Sequence, residues 1–423
     1  CIRDSTMRGR WPFVRRALYA AAATEGTQKD EVAKLERSLK KHYKSIFPPV
    51  DEDSLAGGLS NTIAGRICNY LDLGGGGYTV DGACSSSLLA IATAATGLMN
   101  KDLDLALAGG VDVSLDPFEI IGFAKAGALA TDDMKVYDRR GDGFLPGEGC
   151  GFVVLKRLED ARRDKDYIYA ILHGWGISSD GRGAGITAPN AKGQAMAIQR
   201  AYARAPFKID QLDFIEGHGT GTAIGDQVEL HGIARSIEDS SPSSPDIGRF
   251  CGITSLKSVI GHTKAAAGVG AFIKAVMAVN RRVLPPTAAC RYPHPAFRAE
   301  ARALYPILTG KITIPNNTLR AGISAMGFGG INCHVCLESA DPPSSKLTRP
   351  IAEQALLASH QETELFVFSD QSSADLISQI DRIGQEVSNI SIADLTDLAA
   401  DLSQKSDSAP GLRAAIIANH PDQ

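Results

Sequence analysis

Hydrophobic positions between residues 30 and 47 recur at the spacing of an α-helix. The residues that would share one face are Val32, Leu35, Leu39, Tyr43 and Ile46. Lysines and an arginine occupy the other positions, so the pattern predicts an amphipathic surface helix. The stretch "FPPVDEDSLAGG" then ends it, because two prolines and a glycine pair break helical structure.

From about residue 60 to residue 340, short apolar runs alternate with helical stretches and glycine-rich turns. The apolar runs include "LDLALAGGVDV", "GCGFVVLKRL", "YIYAILHGWGIS", "DFIEGHGTGT", "RAGISAMGFGG" and "CHVCLES". Glycine is abundant, with 43 residues, and clusters where the predicted strands end. This alternation is typical of a layered α/β protein.

The composition changes at residue 341, where "DPPSSKLTRP" indicates a linker. Beyond it we predict a strand in "ELFVFS", a helix, a second helix near "IADLTDLAADL" and a strand in "LRAAIIAN". The first of these helices has Leu376, Ile380, Ile383 and Val387 at helical spacing. We therefore expect a main domain over residues 1–340 and a small α/β domain over residues 341–423, truncated at "NHPDQ".

Charge and hydropathy exclude several classes of protein. The formal net charge of −4 gives no electrostatic reason to expect nucleic acid or an anionic membrane as a partner. No apolar run approaches the roughly 20 residues that span a bilayer, and "CIRDSTMRGR" lacks a signal peptide's apolar stretch. A cytosolic protein is the expectation.

The eight cysteines have irregular spacing, which indicates free thiols in a reducing compartment. Only "CHVC", with Cys333, His334 and Cys336, suggests a metal. It has no second pair of ligands to complete a four-ligand site, so thiols near a strand end are the expected structure and no metal is predicted.

Cys84 lies in "VDGACSSSLLAIATAATGLM", at the start of a run that is small or apolar on every side. The preceding "GGGGYTVDG" predicts a strand and a tight turn, so the plan is strand, elbow and buried helix. A helix N-terminus would lower the pKa of a thiol and favour a nucleophile. A cysteine is also often a small core residue, and the serines would serve as caps, so this stretch alone leaves the two interpretations evenly balanced.

Two histidines favour the nucleophile. His218 follows a predicted strand in "DFIEGHGTGT", and His262 begins a second small-residue helix in "SLKSVIGHTKAAAG", five residues after Lys257. One strand–elbow–helix plan is thus used twice. "GTGTAIG" has the wrong glycine spacing for a dinucleotide-binding loop and no GxxxxGK[ST] occurs, so NAD and ATP are not expected.

In these segments the chain resembles the β-ketoacyl synthase family, in the form found in multidomain polyketide synthases. The resemblance rests on "VDGACSSSL", "PGEGCGFVVLKRL", "EGHGTGT", "LKSVIGHTKAAAG" and "MGFGGINCHV", which occur in the family's order. It covers about residues 55–340, and the tail resembles the linker domain that leads to an acyltransferase. The resemblance implies a thiolase-like five-layer αβαβα fold of two similar halves, plus the small α/β linker domain.

The resemblance also assigns catalytic roles. Cys84 would be the acyl-accepting nucleophile, and His218 and His262 would bind the extender thioester and promote its decarboxylation. Lys257 would support the second histidine. Phe328 would be the gating phenylalanine, and its backbone N–H would form the oxyanion hole together with that of Cys84.

The resemblance further implies substrates and partners. Thr220 and Thr222 would hydrogen-bond the phosphopantetheine arm of an acyl carrier protein, and no tightly bound cofactor is implied. The partners would be that carrier protein, an acyltransferase domain of the same longer chain, and a second copy paired through residues 77–83 in a homodimer. Neither nucleic acid nor membrane is expected.

The chain departs from the family at its front, where the family has a further strand and helix, so we expect the N-terminal part to be incomplete. Some stretches are closest to iterative synthases of the enediyne and polyunsaturated fatty acid type. Two alternatives remain: a catalytically silent scaffold or chain-length partner, and a Cys–His acyl hydrolase. Neither explains the cysteine, both histidines and the "GTGT" loop together.

Overall fold

The computed structural model describes residues 9–47, 52–240, 251–312, 318–340, 363–386, 390, 392–407 and 411–423. The chain divides into two compact units, Cys1–Thr79 and Val80–Gln423. The first unit contains the helices Trp11–Thr24 (α1), Lys29–Ser45 (α2), Glu52–Gly58 (α3) and Asn61–Leu71 (α4).

Helix α2 confirms the predicted amphipathic helix. Val32 is buried, and the ring of Tyr43 lies 5.8 Å from that of Trp11 on α1. Leu35 and Ile46 are largely exposed, so the apolar face is only partly covered within the first unit.

The second unit alternates helices and strands. Its helices are Ser86–Met99 (α5), Pro117–Lys125 (α6), Leu158–Asp164 (α7), Ala191–Tyr202 (α8), Ala223–Ser240 (α9), Lys257–Ile260 (α10), Ala267–Arg281 (α11), Ala296–Ala299 (α12), Ser373–Glu386 (α13) and Ile392–Asp407 (α14). Its strands are Leu105–Asp112 (β1), Gly149–Lys156 (β2), Ala170–Ser179 (β3), Phe214–Glu216 (β4), Cys251–Thr254 (β5), Val283–Leu284 (β6), Leu304–Pro306 (β7), Lys311–Ile312 (β8), Arg320–Gly327 (β9), Ile331–Ser339 (β10), Glu364–Asp370 (β11) and Leu412–Ala418 (β12). Short 3₁₀ turns cover Ala83–Ser85, Ile209–Gln211 and Lys264–Ala266.

A six-stranded mixed sheet with the order β3-β10-β9-β4-β5-β7 forms the centre of this unit. Strands β9, β4, β5 and β7 run parallel, whereas β3, β10 and β9 are antiparallel neighbours. Because the carboxyl ends of parallel strands meet at one edge, the segments after β4, β5 and β9 come together there. Those segments carry His218, Lys257 and Phe328.

Helices α5 and α11 pack against each other between this sheet and the smaller β1–β2 pair. Their apolar side chains and those of β9 and β10 form one hydrophobic core, while α8 and α9 cover the other face of the large sheet. The helices approach closely, since a Cβ at Gly268 would lie 2.8 Å from the backbone nitrogen of Leu88. The layers therefore run in the order β1–β2, α5 with α11, six-stranded sheet, α8 with α9.

The predicted doubling of the elbow is confirmed at these two helices. The turn Ala83–Ser85 precedes α5, and the turn Lys264–Ala266 precedes α11. The first residue of each turn is a non-glycine residue in the left-handed region, with φ of +50° and +49°. We call these turns with their helices the first elbow and the second elbow.

The strand predicted before Cys84 is wrong for the isolated chain. Residues 77–82 are described but belong to no strand, and Tyr78 is largely exposed. An extended segment becomes a strand only when a neighbour completes its ladder of hydrogen bonds, and no other segment of the described chain does so here.

The C-terminal residues form a small α/β arrangement of β11, β12, α13 and α14 with its own apolar core. The strands and helices predicted there are confirmed, with Leu376, Ile380 and Ile383 in that core. Val387 and the linker segment 341–350 lie outside the described residues. The 340/341 domain boundary stays a prediction.

Within the described part of the chain, none of the helices is both long enough and apolar enough to cross a bilayer.

Candidate active site

Cys84 is the middle residue of the Ala83–Ser85 turn in the first elbow, and the residue is partly exposed while protein surrounds its sulfur. The backbone N–H groups of Phe328 and of Cys84 itself donate to its sulfur. The loop after β9 comes this close because residue 327 is glycine: a Cβ there would lie 2.0 Å from the carbonyl oxygen of Gly82. The N–H groups of Cys84 and Phe328 therefore both point toward the Cys84 sulfur.

The expectation of a lowered thiol pKa is wrong. Burial raises the pKa of Cys84 to about 11, and the charge of Asp112 adds to the rise. The Lys257 ammonium and the two N–H groups oppose this shift without overcoming it. Desolvation of the thiolate therefore outweighs the Lys257 charge and the two N–H groups, and the resting thiol is protonated at neutral pH.

His218 lies two residues beyond the end of β4. Its Nδ1 accepts a hydrogen bond from the backbone N–H of Met326 at 3.3 Å. Burial lowers the pKa of its imidazole well below the usual 6.5, and Lys257 and His262 lower it further. The ring is therefore neutral, and because Nδ1 accepts, its proton is on Nε2.

His262 precedes the second elbow and is only 1% exposed. Its Nδ1 accepts from the backbone N–H of Lys264 at 3.1 Å, and its ring packs edge-on against Phe144 with centroids 5.1 Å apart. Burial lowers its pKa well below 6.5, with further lowering by the ammonium groups of Lys257 and Lys264. This ring is also neutral with its proton on Nε2.

The centroids of the His218 and His262 rings lie 5.6 Å apart, and the ring planes are nearly perpendicular. The structure thus brings together two neutral imidazoles, each fixed by a backbone N–H at Nδ1 and each with an N–H donor at Nε2. Such a pair can stabilise a developing oxyanion without a full positive charge.

Lys257 is 4% exposed, and its ammonium donates to the carbonyl oxygen of His218. Burial lowers its pKa, while Glu229, Glu216 and Cys84 raise it. Lys257 therefore hydrogen-bonds His218, and it acts on His262 only through its positive charge, which lowers the pKa of that imidazole.

The two threonines of the glycine-rich loop lie side by side. The hydroxyls of Thr220 and Thr222 are 2.9 Å apart, and Thr222 Oγ1 accepts from the backbone N–H of Gly225 at 3.2 Å.

Phe328 is 45% exposed, with its ring 6.1 Å from that of Phe123 on α6. All seven residues to which the resemblance assigns a role thus lie in the first elbow or in the segments that follow β4, β5 and β9.

The chain matches known protein families over most of its length. The family description "Beta-ketoacyl synthase, N-terminal domain" matches residues 15–161, and "Beta-ketoacyl synthase, C-terminal domain" matches residues 169–291. Together they account for more than half of the chain. The chain belongs to the β-ketoacyl synthase family.

Relatives within the β-ketoacyl synthase family are long polyketide and fatty acid synthases. Polyketide synthase PksL of Bacillus subtilis is 36% identical over 84% of this chain and 8% of that protein. A phenolphthiocerol/phthiocerol polyketide synthase of Mycobacterium tuberculosis is 39% identical over 68% of this chain and 15% of that protein. A polyunsaturated fatty acid synthase of Thraustochytrium is 37% identical over 73% of this chain and 11% of that protein.

The chain therefore spans less than a sixth of these relatives. Since they include both polyketide and polyunsaturated fatty acid synthases, the iterative subtype stays a prediction.

Solved structures of ketosynthases share the fold. The ketosynthase from module 6 of the bacillaene synthase of B. subtilis 168 is 32% identical with a TM-score of 0.64. It matches 89% of this chain and 64% of its own. An oxazolomycin ketosynthase domain of Streptomyces albus gives 30% identity and a TM-score of 0.63, with 88% and 63% coverage. The fold of the β-ketoacyl synthase family, thiolase-like α/β, is confirmed.

Sequence reasoning missed the acidic residues that hold the histidine loop of this family member. Glu229 on α9 accepts from the backbone N–H groups of His218 at 2.6 Å and Gly219 at 2.8 Å. Asp226, one turn earlier, accepts from Gly221 at 3.0 Å and Tyr137 at 2.8 Å. Burial raises the pKa of Asp226 to about 7. The signal was present in "GDQVEL", where the two carboxylates have helical i, i+3 spacing, but the sequence does not show that they face inward.

The "CHVC" segment lies in β10, within the sheet of this β-ketoacyl synthase fold. Cys333 and Cys336 are buried, and His334 contacts Ser324 Oγ at 2.9 Å and the Tyr202 hydroxyl at 3.2 Å. The ring nitrogens of His334 thus have protein partners. No cluster with the ligands for a metal ion occurs among the described residues.

Proposed function

We propose that this chain is a ketosynthase that catalyses decarboxylative Claisen condensation between an acyl chain on Cys84 and a malonyl group on an acyl carrier protein. The observation that carries the proposal is that one short segment binds both groups: the Met326 N–H donates to His218, which packs on His262, and the Phe328 N–H donates to the Cys84 sulfur. Family membership and the polyketide synthase relatives support it.

In the first half-reaction Cys84 accepts the acyl chain. Its sulfur attacks the thioester carbonyl, the N–H groups of Cys84 and Phe328 stabilise the tetrahedral oxyanion, and the carrier thiol leaves. The thiol proton of Cys84 ends on the departing carrier thiol, so the exchange is neutral in charge.

In the second half-reaction the malonyl thioester loses CO₂. The bond to the carboxylate breaks, its electron pair forms an enolate, and the Nε2 protons of His218 and His262 stabilise the enolate oxygen. The enolate carbon then attacks the acyl carbonyl on Cys84, a carbon–carbon bond forms and the carbon–sulfur bond breaks. Cys84 leaves as thiolate and takes one proton from solvent. Neutral rings suit this step because an imidazolium would transfer its proton to the enolate and quench it.

We propose further roles for residues that position the histidines, bind the substrate arm or gate the thiol. Lys257 and Glu229 hold His218 through its carbonyl oxygen and its backbone N–H. Thr220 and Thr222 bind the phosphopantetheine arm, and Phe328 gates access to the thiol. No cofactor is required beyond that arm.

The proposed partners are an acyl carrier protein, an acyltransferase domain and a second copy of the chain. Residues 341–423 are proposed as the linker domain before the acyltransferase, after a condensing domain over 1–340. Residues 77–82 belong to no strand of the described chain, and an antiparallel copy would pair with this segment. Sedimentation at low micromolar concentration should show a dimer, and a folded monomer that acylates Cys84 would refute the pairing.

Mass spectrometry after incubation with an acyl thioester tests the function. A stable adduct on Cys84 followed by product formation with malonyl carrier protein is expected. Rapid turnover to free acid would identify a hydrolase, and a protein that forms no adduct would be a silent scaffold. A Cys150→Ala variant is the matched control, because Cys150 is exposed and lies outside the site.

A further inference from the structure

The two elbows share a left-handed first residue and a 3₁₀ turn but carry different side chains. Position by position, Lys264 of the second elbow corresponds to Ala83 of the first, and Ala265 corresponds to Cys84. The left-handed conformation is unfavourable for both Ala83 and Lys264, so surrounding contacts must hold it. At Lys264 those contacts come from a long charged side chain.

The Lys264 side chain is buried, at 4% exposure for the residue, and ends between two carboxylates. Its Nζ lies 3.1 Å from Asp112 Oδ1 and 2.9 Å from Glu119 Oε2. Asp112 is the last residue of β1, and Glu119 is in the first turn of α6. The ammonium therefore joins the second elbow to a strand and a helix that are about 150 residues away in sequence.

Asp112 also occupies the anion-binding position of the second elbow. Its Oδ2 accepts from the backbone N–H of Ala265 at 3.2 Å. The equivalent N–H in the first elbow, that of Cys84, donates to the sulfur. The second elbow is therefore filled by a carboxylate of the protein, and Lys264 compensates the charge of that carboxylate.

The backbone of Lys264 acts directly on a histidine. Its N–H donates to Nδ1 of His262, which leaves the imidazole proton on Nε2. Helix α6 reaches the same histidine from a second side, because Phe123 packs on Phe144 at 5.1 Å and Phe144 packs on His262. The charged or titratable groups that face His262 are Lys257, Lys264 and His218.

We propose that Lys264 is a positioning residue for malonyl decarboxylation. The ion pairs of its side chain with Asp112 and Glu119 hold the second elbow in place, so that the backbone N–H of Lys264 keeps its hydrogen bond to Nδ1 of His262. This inference rests on the proposed function. It predicts that the Lys264 side chain matters for the histidine half-reaction and little for acylation of Cys84.

The test compares Lys264→Met with Lys156→Met in the full chain. Lys156 is a matched control, because it also pairs with two carboxylates, Asp164 and Asp166, but its side chain is partly exposed and contacts neither histidine. Lys264→Met should lower CO₂ release from malonyl carrier protein at least tenfold while acylation of Cys84 stays within threefold. Lys156→Met should change neither rate by more than about twofold.

Two further readouts separate positioning from mere packing. Lys264→Met removes a cation that lowers the pKa of His262, so the acid limb of the CO₂-release profile should move to higher pH. The double variant Lys264→Met/Glu119→Gln restores the net charge of the cluster and should recover part of the lost rate. If Lys264→Met does not fold, Glu119→Gln alone gives the test, with a two- to fivefold loss of CO₂ release and unchanged acylation.

The outcomes are distinguishable. Wild-type enzyme that acylates Cys84 but releases no CO₂ would overturn the proposed function and this inference with it. Active wild type together with unchanged CO₂ release in Lys264→Met, or equal loss of both half-reactions, would overturn this inference alone. Selective loss with the shifted acid limb supports it.

Discussion

The first and second elbows are two copies of one backbone design with different contents. Each begins with a left-handed residue, continues through a 3₁₀ turn and enters a buried helix, and the two helices pack against each other. In the first, the backbone N–H groups face a thiol. In the second, the corresponding N–H is satisfied by Asp112. On the proposed mechanism an elbow needs N–H groups that are left for the substrate, and the second elbow does not meet that condition because Asp112 accepts from its N–H.

Moving the thiol between the elbows should give the largest effect. The variant Cys84→Ala/Ala265→Cys carries the cysteine at the equivalent position, where Asp112 accepts from the backbone N–H of residue 265 itself. We expect no acyl adduct on residue 265 after incubation with an acyl thioester, as seen by peptide mass mapping. Acylation of residue 265 at a rate near that of wild-type Cys84 would show that the elbow conformation is sufficient.

Substitution of either active-site histidine should slow the second half-reaction, malonyl decarboxylation. His218→Ala or His262→Ala each removes one Nε2 donor to the enolate oxygen, and we expect CO₂ release to fall by roughly 10²–10³-fold. Acylation of Cys84 should continue. His42→Ala is the matched control, because that residue is exposed on α2. Full CO₂ release in both active-site variants would remove the assigned roles.

The pH dependence of alkylation tests the raised pKa of the Cys84 thiol. Since burial raises the pKa of Cys84 to about 11, its thiolate fraction is small at pH 7 and grows as pH rises. Labelling of Cys84 by iodoacetamide should therefore accelerate about tenfold per pH unit up to pH 10. Peptide mapping over this range measures it. A labelling rate for Cys84 that is already maximal at pH 7 would restore the lowered pKa expected from the helix N-terminus.

The contact between the elbow helices should give the smallest effect. Gly268→Ala places a Cβ 2.8 Å from the Leu88 nitrogen, so the helices must separate. We expect the free energy of unfolding to fall by about 1–3 kcal/mol. Gly122→Ala on α6 is the control, because a Cβ there meets no atom within 4 Å. Equal thermal unfolding of the two variants would contradict the close packing.

The elements and site residues that depend on the local spacing of apolar, small and glycine residues could be predicted from the sequence. The spacing of Val32 and Tyr43 identified α2, and the glycine-framed motifs located Cys84, His218 and His262 on elbows and loops at one edge of the sheet. The doubling of the elbow was also visible, because both helices begin with small residues.

The sequence could not show properties that depend on distant segments. The direction of the Cys84 pKa shift depends on how much protein surrounds the thiol. The ion pairs of Lys264 join residues about 150 positions apart, and the segment 77–83, predicted as a strand, lacks a strand neighbour within the described chain. Each of these features is set by packing or pairing across the fold, which a single sequence does not display.

The most direct test of the two-step mechanism measures both half-reactions in Cys84→Ala. We expect a complete loss of the acyl adduct with measurable CO₂ release from malonyl carrier protein, because the two histidines and Lys257 remain in place. CO₂ release that disappears together with the adduct would contradict the claim that the thiol and the histidine pair act in separate steps.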